Sequence, residues 1–271
     1  MTRRVVIASQ KGGVGKTTVA LNLASAMAER GRRTLLVDLD PQGSIGHALA
    51  RGDTELPGLV DLVTKQVSAG QAIVRTKTPT LALLPRGRLD PIDGGALELA
   101  LQSGELLASV LGEVEGEFEL VVVDTPSGLG MITRGALAVS DFVLVPVQAE
   151  PLALRSIAQI LRVLEFVRVE QNARLQLLGM LPTMVDLRSA ASHDVVMALW
   201  SGFAGVLETM IPRAPIFAQA SAAGLPVAYL EGAISPEARR FEMLAAELES
   251  SIERFTNHAG ASDARPQRQL L

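Results

Sequence analysis

Along this chain, short unbroken apolar runs alternate with longer stretches patterned at helical spacing. The runs are Val5–Ala8, Thr34–Val37, Leu81–Leu84, Leu120–Val123, Phe142–Val147 and Leu175–Leu181. None alternates apolar with polar residues, so each reads as a strand covered on both faces. Helical spacing spans Thr17–Arg30, Gly94–Leu111, Pro151–Glu170 and Ser192–Gly205. A last helix runs from Pro236, a residue suited to a first helical turn, to about Phe255. Residues 51–80 are weakly patterned, with turn formers at Gly52-Asp53, Pro57-Gly58 and Pro79, and read as short helices and loops over one face. This alternation predicts the α/β class: a doubly wound, mostly parallel sheet with helices on both faces, in a single domain. Ligands of such a sheet bind at the carboxyl ends of its strands. The domain is expected to span 1–256, with 257–271, a mixture of Gly, Ser, Asp, Arg, Pro and Gln, as a disordered tail.

Composition narrows the chemistry. With 271 residues, 48% of them hydrophobic, the chain can bury one sizeable core. A formal net charge of −4 sets up no global field for nucleic acid, so DNA binding would have to come from a local patch. The absence of cysteine excludes disulfides, thiolate metal sites and cysteine-held iron–sulfur clusters. The three histidines, His47, His193 and His258, belong to no motif and read as structural or solvated. No apolar stretch approaches the ~20 residues that span a bilayer. Thr2-Arg3-Arg4 leads into a run too short for a signal peptide and lacking a cleavage site, so a cytoplasmic protein is expected.

The densest chemical signal is Gln10-Lys11-Gly12-Gly13-Val14-Gly15-Lys16-Thr17-Thr18, set between the first strand and the first helix. Strand, glycine-rich turn and helix N-terminus together make a phosphate cradle: backbone N–H groups converge there, and the helix dipole adds positive charge. Gly12, Gly13 and Gly15 allow close backbone approach to phosphate oxygens. Lys16 would neutralise β- and γ-phosphates, and the Thr17 hydroxyl would ligate Mg²⁺. Gln10 stands where the usual spacing has its first glycine, and Lys11 is a surplus cation at the front of the loop. Leu120-Val121-Val122-Val123-Asp124 is an apolar strand ending in a carboxylate, placed to hold Mg²⁺ through water. Asp38 and Asp40, two apart at the end of the second strand, point the same way, toward the phosphates.

The loop Lys11–Thr17 resembles that of the ParA/MinD group of P-loop ATPases, in particular the small, Soj-like ParA type. The resemblance covers roughly residues 3 to 250 and extends to Asp38-Leu39-Asp40-Pro41-Gln42-Gly43, Asp141–Gln148, Gly179–Asp186, Ile211-Pro212-Arg213 and Gly224–Val227. It implies an ATP- and Mg²⁺-dependent ATPase whose ATP-bound subunits pair face to face. Lys11 would then reach the partner's phosphates, and Gly12 would stay small where two loops meet. Asp40 would handle the attacking water, and Asp38 would support Mg²⁺ or the water network. Met184 and Pro212 would flank the adenine. The group also implies that the ATP dimer binds non-specific DNA, that a cargo-linked protein stimulates hydrolysis, and that a chromosome, plasmid or protein assembly is thereby positioned at the nucleoid. Arg188 matches a DNA-contacting arginine, with Arg213, Arg239 and Arg240 as further candidates.

There are departures. Where relatives continue Thr-Pro-Pro, this chain has Thr125-Pro126-Ser127-Gly128-Leu129-Gly130, which changes the loop that responds to the γ-phosphate. Ile216 stands where several relatives have a DNA-contacting arginine. A MinD-like membrane switch would need a C-terminal amphipathic helix, yet Leu270 and Leu271 are the only large apolar residues of the tail, so no stable membrane anchor is expected. The alternative is an accessory ATPase docked on a protein machine, binding neither DNA nor lipid. Lys11 and the Asp38–Gly43 run argue against a metabolic ligase on the same fold. With no region ahead of the first strand for a DNA-reading helix-turn-helix, operator-specific repression is not expected.

Overall fold

A computed structural model describes residues 2–43, 45, 56–64, 67–89, 94–151, 153–230 and 235–259. His47 and the Gly52-Asp53 turn lie outside the described residues, as does the tail from 260 onward. Seven strands form one sheet: β1 (Arg3–Ile7), β2 (Thr34–Asp38), β3 (Val74–Arg75), β4 (Leu81–Leu84), β5 (Leu120–Asp124), β6 (Phe142–Gln148) and β7 (Gln176–Thr183). Their order is β3-β4-β2-β5-β1-β6-β7. Every neighbouring pair is parallel except β3 with β4.

The unbroken apolar runs follow from burial on both faces. Val5 and Ile7 of β1 face one core layer together with Leu36, Val122 and Leu144. Val6 faces the other with Leu35, Val37, Val121 and Val143. The first layer is closed by α1 (Lys16–Glu29), through Val19, Leu23 and Met27, and by α10 (Pro236–Ala259), through Phe241, Leu244 and Leu248. The opposite layer is closed by α4 (Gly94–Leu101), α5 (Glu105–Glu113), α6 (Met131–Ala138) and α7 (Ala153–Glu170). Short helices α2 (Leu59–Val63) and α3 (Ala69–Ala72) occupy the weakly patterned stretch, and α8 (Ala190–Gly202) and α9 (Ile216–Ala223) follow β7.

Three differences from the sequence pattern have physical causes. The helix expected over 94–111 is two helices, broken at Gly104, whose φ is +77°. A side chain there would drive into the Gly135 carbonyl of α6, so the break lets α5 and α6 approach backbone to backbone. The helix expected over 192–205 begins at Ala190, because Ser189 caps it by accepting the Ser192 N–H. It ends at Gly202, and the Gly205 carbonyl instead accepts the Met180 N–H beside β7, at 2.8 Å. The last helix overruns Phe255 to Ala259: Phe255 packs its ring 5.8 Å from Phe142, and Thr256 accepts a bond from Arg3. Residues 257–259, expected in the tail, are therefore helical.

Candidate nucleotide-binding site

β1 stops at Ile7, and the chain turns through residues 8–15 into α1, whose N-cap is Gly15 at φ +89°. A positive φ at this point is what glycine permits without strain. The loop is braced from both sides. Thr183 of β7 donates its hydroxyl to the Val14 carbonyl at 2.9 Å, and Gly128, after β5, donates its N–H to the Ser9 carbonyl at 3.2 Å. Gly12 faces Ser127, where an added Cβ would lie 3.3 Å from the serine oxygen. Thr18 follows in the first turn of α1.

Lys16 opens α1 and is 6% exposed; its Nζ sits 3.3 Å from Ser127 Oγ. Burial lowers its pKa, while the charges of Asp124 and Asp40 act in the other direction. The next residue, Thr17, donates its hydroxyl to Asp124 Oδ2 at 2.7 Å. Strand register sets Asp124 directly opposite Asp38 on β2, and both are fully buried. Burial first, then the charge of Asp38, pushes the Asp124 carboxyl up to about 8; the Thr17 hydroxyl and Lys16 pull it down.

Asp124 Oδ1 is buried and has no hydrogen-bond partner. An orphaned acceptor beside a threonine hydroxyl fits a hydrated divalent cation, which would displace the proton that burial otherwise favours. Among the described residues no three His, Asp or Glu side chains cluster to cage a metal. Magnesium keeps waters and shares its ligands with substrate phosphates, so one carboxylate beside a threonine hydroxyl can serve it.

Asp38, opposite Asp124, also accepts two backbone N–H groups. Its Oδ1 accepts the Asp40 N–H at 3.1 Å and its Oδ2 accepts the Ile45 N–H at 3.0 Å. It therefore shapes the loop that carries Asp40, and bears on Asp124 through charge. Asp40 in turn accepts the Gln42 N–H on its carboxylate and the Gly43 N–H on its carbonyl.

On the far side of the P-loop, Met184 takes a positive φ of 52°, rare for a side chain of its size, and its Cε lies 4.0 Å from where a Gly15 Cβ would be. Pro212 bridges to the adjacent Val185. The two expected base-flanking residues thus stand in one strand-end region against the loop.

Lys11 projects from the loop front and is held by two acceptors at the end of β6: Glu150 Oε2 at 2.6 Å, just past the strand, and Gln148 Oε1 at 3.0 Å, its last residue. The Lys11 bond holds the Glu150 carboxyl below the usual range, and Arg213 approaches the same carboxylate at 3.8 Å. Arg213 is thereby drawn to the rim of the nucleotide site. Arg188, 92% exposed, pairs at 3.3 Å with Asp186. Arg239 and Arg240 lie on a separate element, the start of α10. The four candidate arginines are therefore not one cluster of paired side chains. Ile216 packs inward against Ala220, Val227 and Ala238, which accounts for an apolar residue at that position.

Sequence reasoning missed Ser127, Glu150, Thr183 and Arg86. Glu150 and Arg86 both lie just past the carboxyl end of a strand, where ligands of such sheets bind, and that placement was the available signal. Arg86 donates to the Pro41 carbonyl at 2.6 Å, beside Asp40.

A family profile described as an AAA domain matches residues 2–177. The chromosome-partitioning ATPase Soj of Thermus thermophilus is 38% identical over 252 residues, covering 93% of this chain and 97% of its own. Among solved structures, cobyrinic acid a,c-diamide synthase from Mycobacterium smegmatis with bound ADP and magnesium superposes with a TM-score of 0.77 at 33% identity, over 93% of this chain and 96% of that one. The cell division ATPase MinD of Pyrococcus furiosus gives a TM-score of 0.73 at 26% identity, over 92% and 99%.

Proposed function

This chain belongs to the Soj/ParA family of P-loop ATPases, and we propose that it is a switch whose ATP state pairs two copies, binds non-specific DNA and positions an intracellular cargo. A cargo-linked protein then stimulates hydrolysis and releases it. The observation that carries the reading is a phosphate loop with two lysines in unlike settings: Lys16 buried against Ser127, and Lys11 at the exposed rim.

The residues divide the work. Backbone N–H groups of Gly12, Gly13, Val14 and Gly15, with the N-terminus of α1 and Thr18, cradle the phosphates of ATP. Lys16 neutralises the β- and γ-oxygens. Thr17 and Asp124 hold Mg²⁺, with Asp38 behind them; when bound, the cation neutralises charge that develops on the phosphate oxygens. Asp40 orients the attacking water. Lys11 leaves Glu150 to reach the phosphates of the second copy. Met184 and Pro212 flank the base. Positioning and charge neutralisation supply the rate, and no histidine base is required.

DNA contact falls to Arg188 first, with Arg213, Arg239 and Arg240 as further candidates, against phosphates alone and without base readout. Among the described residues no helix is long and apolar enough to cross a membrane. The proposed place of work is the cytoplasm, at the nucleoid. The test is a mobility shift on non-specific duplex DNA with ATP, ADP or no nucleotide, at low and moderate salt. ATP-dependent, salt-sensitive binding that Arg188→Ala weakens supports the reading. No binding with ATP, in a protein shown to dimerise, refutes the DNA step and turns the assignment to an ATPase docked on a protein machine.

A further inference from the structure

The loop that carries Asp40 is gripped from two sides. From within, the Asp38 carboxylate accepts the N–H groups of Asp40 and Ile45. From outside, Arg86 donates Nη1 to the carbonyl of Pro41, the residue after Asp40, at 2.6 Å. A charged donor at that distance makes a strong bond. The guanidinium also lies against Gly43, which is buried at φ +64°. A Cβ on residue 43 would sit 2.7 Å from Arg86 Cζ and 2.9 Å from its Nε, so a side chain there would have to displace the guanidinium.

The base of this arm is itself fixed. The carbonyls of Pro85 and Arg86 accept the N–H groups of Leu59 and Val60, each at 3.0 Å, in the first turn of α2. Gly58 is pressed so closely on Pro85 and Gly87 that a side chain there would collide with backbone. Asp61 closes the turn by accepting the Gly58 N–H at 2.8 Å. A rigid strand exit therefore delivers one cationic side chain to the Asp40 turn.

We propose that Arg86 is a positioning residue for hydrolysis, acting through the Pro41 carbonyl to hold the Asp40 carboxylate at the attacking water. This rests on the role given to Asp40 above. Arg86 does not line the phosphate loop, so nucleotide affinity and turnover should separate. Displacements of about an ångström in a positioning group can cost on the order of a hundredfold in rate.

The experiment uses the full chain with Mg·ATP and compares wild type with Arg86→Met, Arg86→Lys and Asp40→Ala. Single-turnover hydrolysis, the Kd of a fluorescent ATP analogue and the thermal midpoint are read for each. Arg86→Met, which keeps the stem and loses the donors, should slow hydrolysis about tenfold, the equivalent of roughly 1.4 kcal/mol, at unchanged Kd. Arg86→Lys should recover most of the rate, because an ammonium can still donate to the carbonyl. Wild-type hydrolysis in Arg86→Met while Asp40→Ala is inactive overturns the role of Arg86 and leaves that of Asp40 standing. Wild-type hydrolysis in Asp40→Ala overturns the reading on which it rests. Loss of rate, affinity and thermal midpoint together in both Arg86 variants marks a structural arginine and overturns the proposal as well.

Discussion

Asp124→Asn should make the nucleotide-free protein more stable at alkaline pH, even though it damages the site. In the folded chain the Asp124 carboxyl is raised from an ordinary 3.8 to about 8 by burial and by Asp38. Between those values the folded state binds a proton that the unfolded state has already lost. Stability therefore falls as pH rises through this window and levels off above about 8. Asparagine keeps the shape and can still accept the Thr17 hydroxyl, but it has no charge to desolvate. A gap of about four pH units at about 1.36 kcal/mol each sets a ceiling near 6 kcal/mol on the cost of the ionised carboxylate. The stability difference between Asp124→Asn and wild type should then widen by as much as about 4 kcal/mol from pH 5 to pH 8. Any pH-independent effect of the substitution cancels from that comparison. The assay is urea unfolding of both proteins in EDTA at several pH values. A difference that stays flat from pH 5 to pH 8 would refute the argument that Asp124 is buried at a cost that only a cation relieves. Adding Mg·ATP at pH 8 should reverse the order, because wild type then gains far more stability from the ligand than Asp124→Asn does.

Lys16→Ala should abolish ATP binding, read by fluorescent-nucleotide titration, since it removes the only ammonium buried at the loop among the described residues. Phe255→Ala removes an exposed ring that pairs with buried Phe142 and should cost about 1 kcal/mol, seen as a lower thermal midpoint. Deleting residues 260–271 should leave ATP hydrolysis and DNA retention unchanged; deleting from 253 onward, which removes Phe255 and Thr256, should lower thermal stability.

Much of this fold was legible because burial on two faces writes itself as unbroken apolar runs, and all six such runs became strands. The two-residue β3 was not, because Val74-Arg75 pairs only with β4 and carries too few positions for any period to show. Helix α6 was missed for a related reason: Met131–Ala138 spans barely two turns, and its Gly135 packs backbone to backbone on Gly104 rather than through a side chain. The loop, Thr17 and Asp124 could be placed from spacing alone, since strand ends and a helix start fix their mutual positions. Glu150 and Arg86 could not, because their partners lie far away in sequence and are brought near only by strand order. The local partners of Asp38, the Asp40 and Ile45 N–H groups, could not be read from its spacing, because they depend on how the chain turns after β2.

The proposed role of Lys11 would make the rim around Glu150 a place of counter-ion exchange. The carboxylate has two cations, Lys11 at 2.6 Å and the Arg213 guanidinium at 3.8 Å. In the switch proposed above, Lys11 would leave for a phosphate while Glu150 kept Arg213 as a compensating charge, and no group would be stranded. Solvent-exposed pairs of this kind are worth at most about 1 kcal/mol, so the home position of Lys11 is a shallow well. A triphosphate, with several negative charges, would outcompete it in the proposed switch. In that proposal the protein holds the front lysine only lightly, so that the nucleotide, rather than the protein, would decide where it sits.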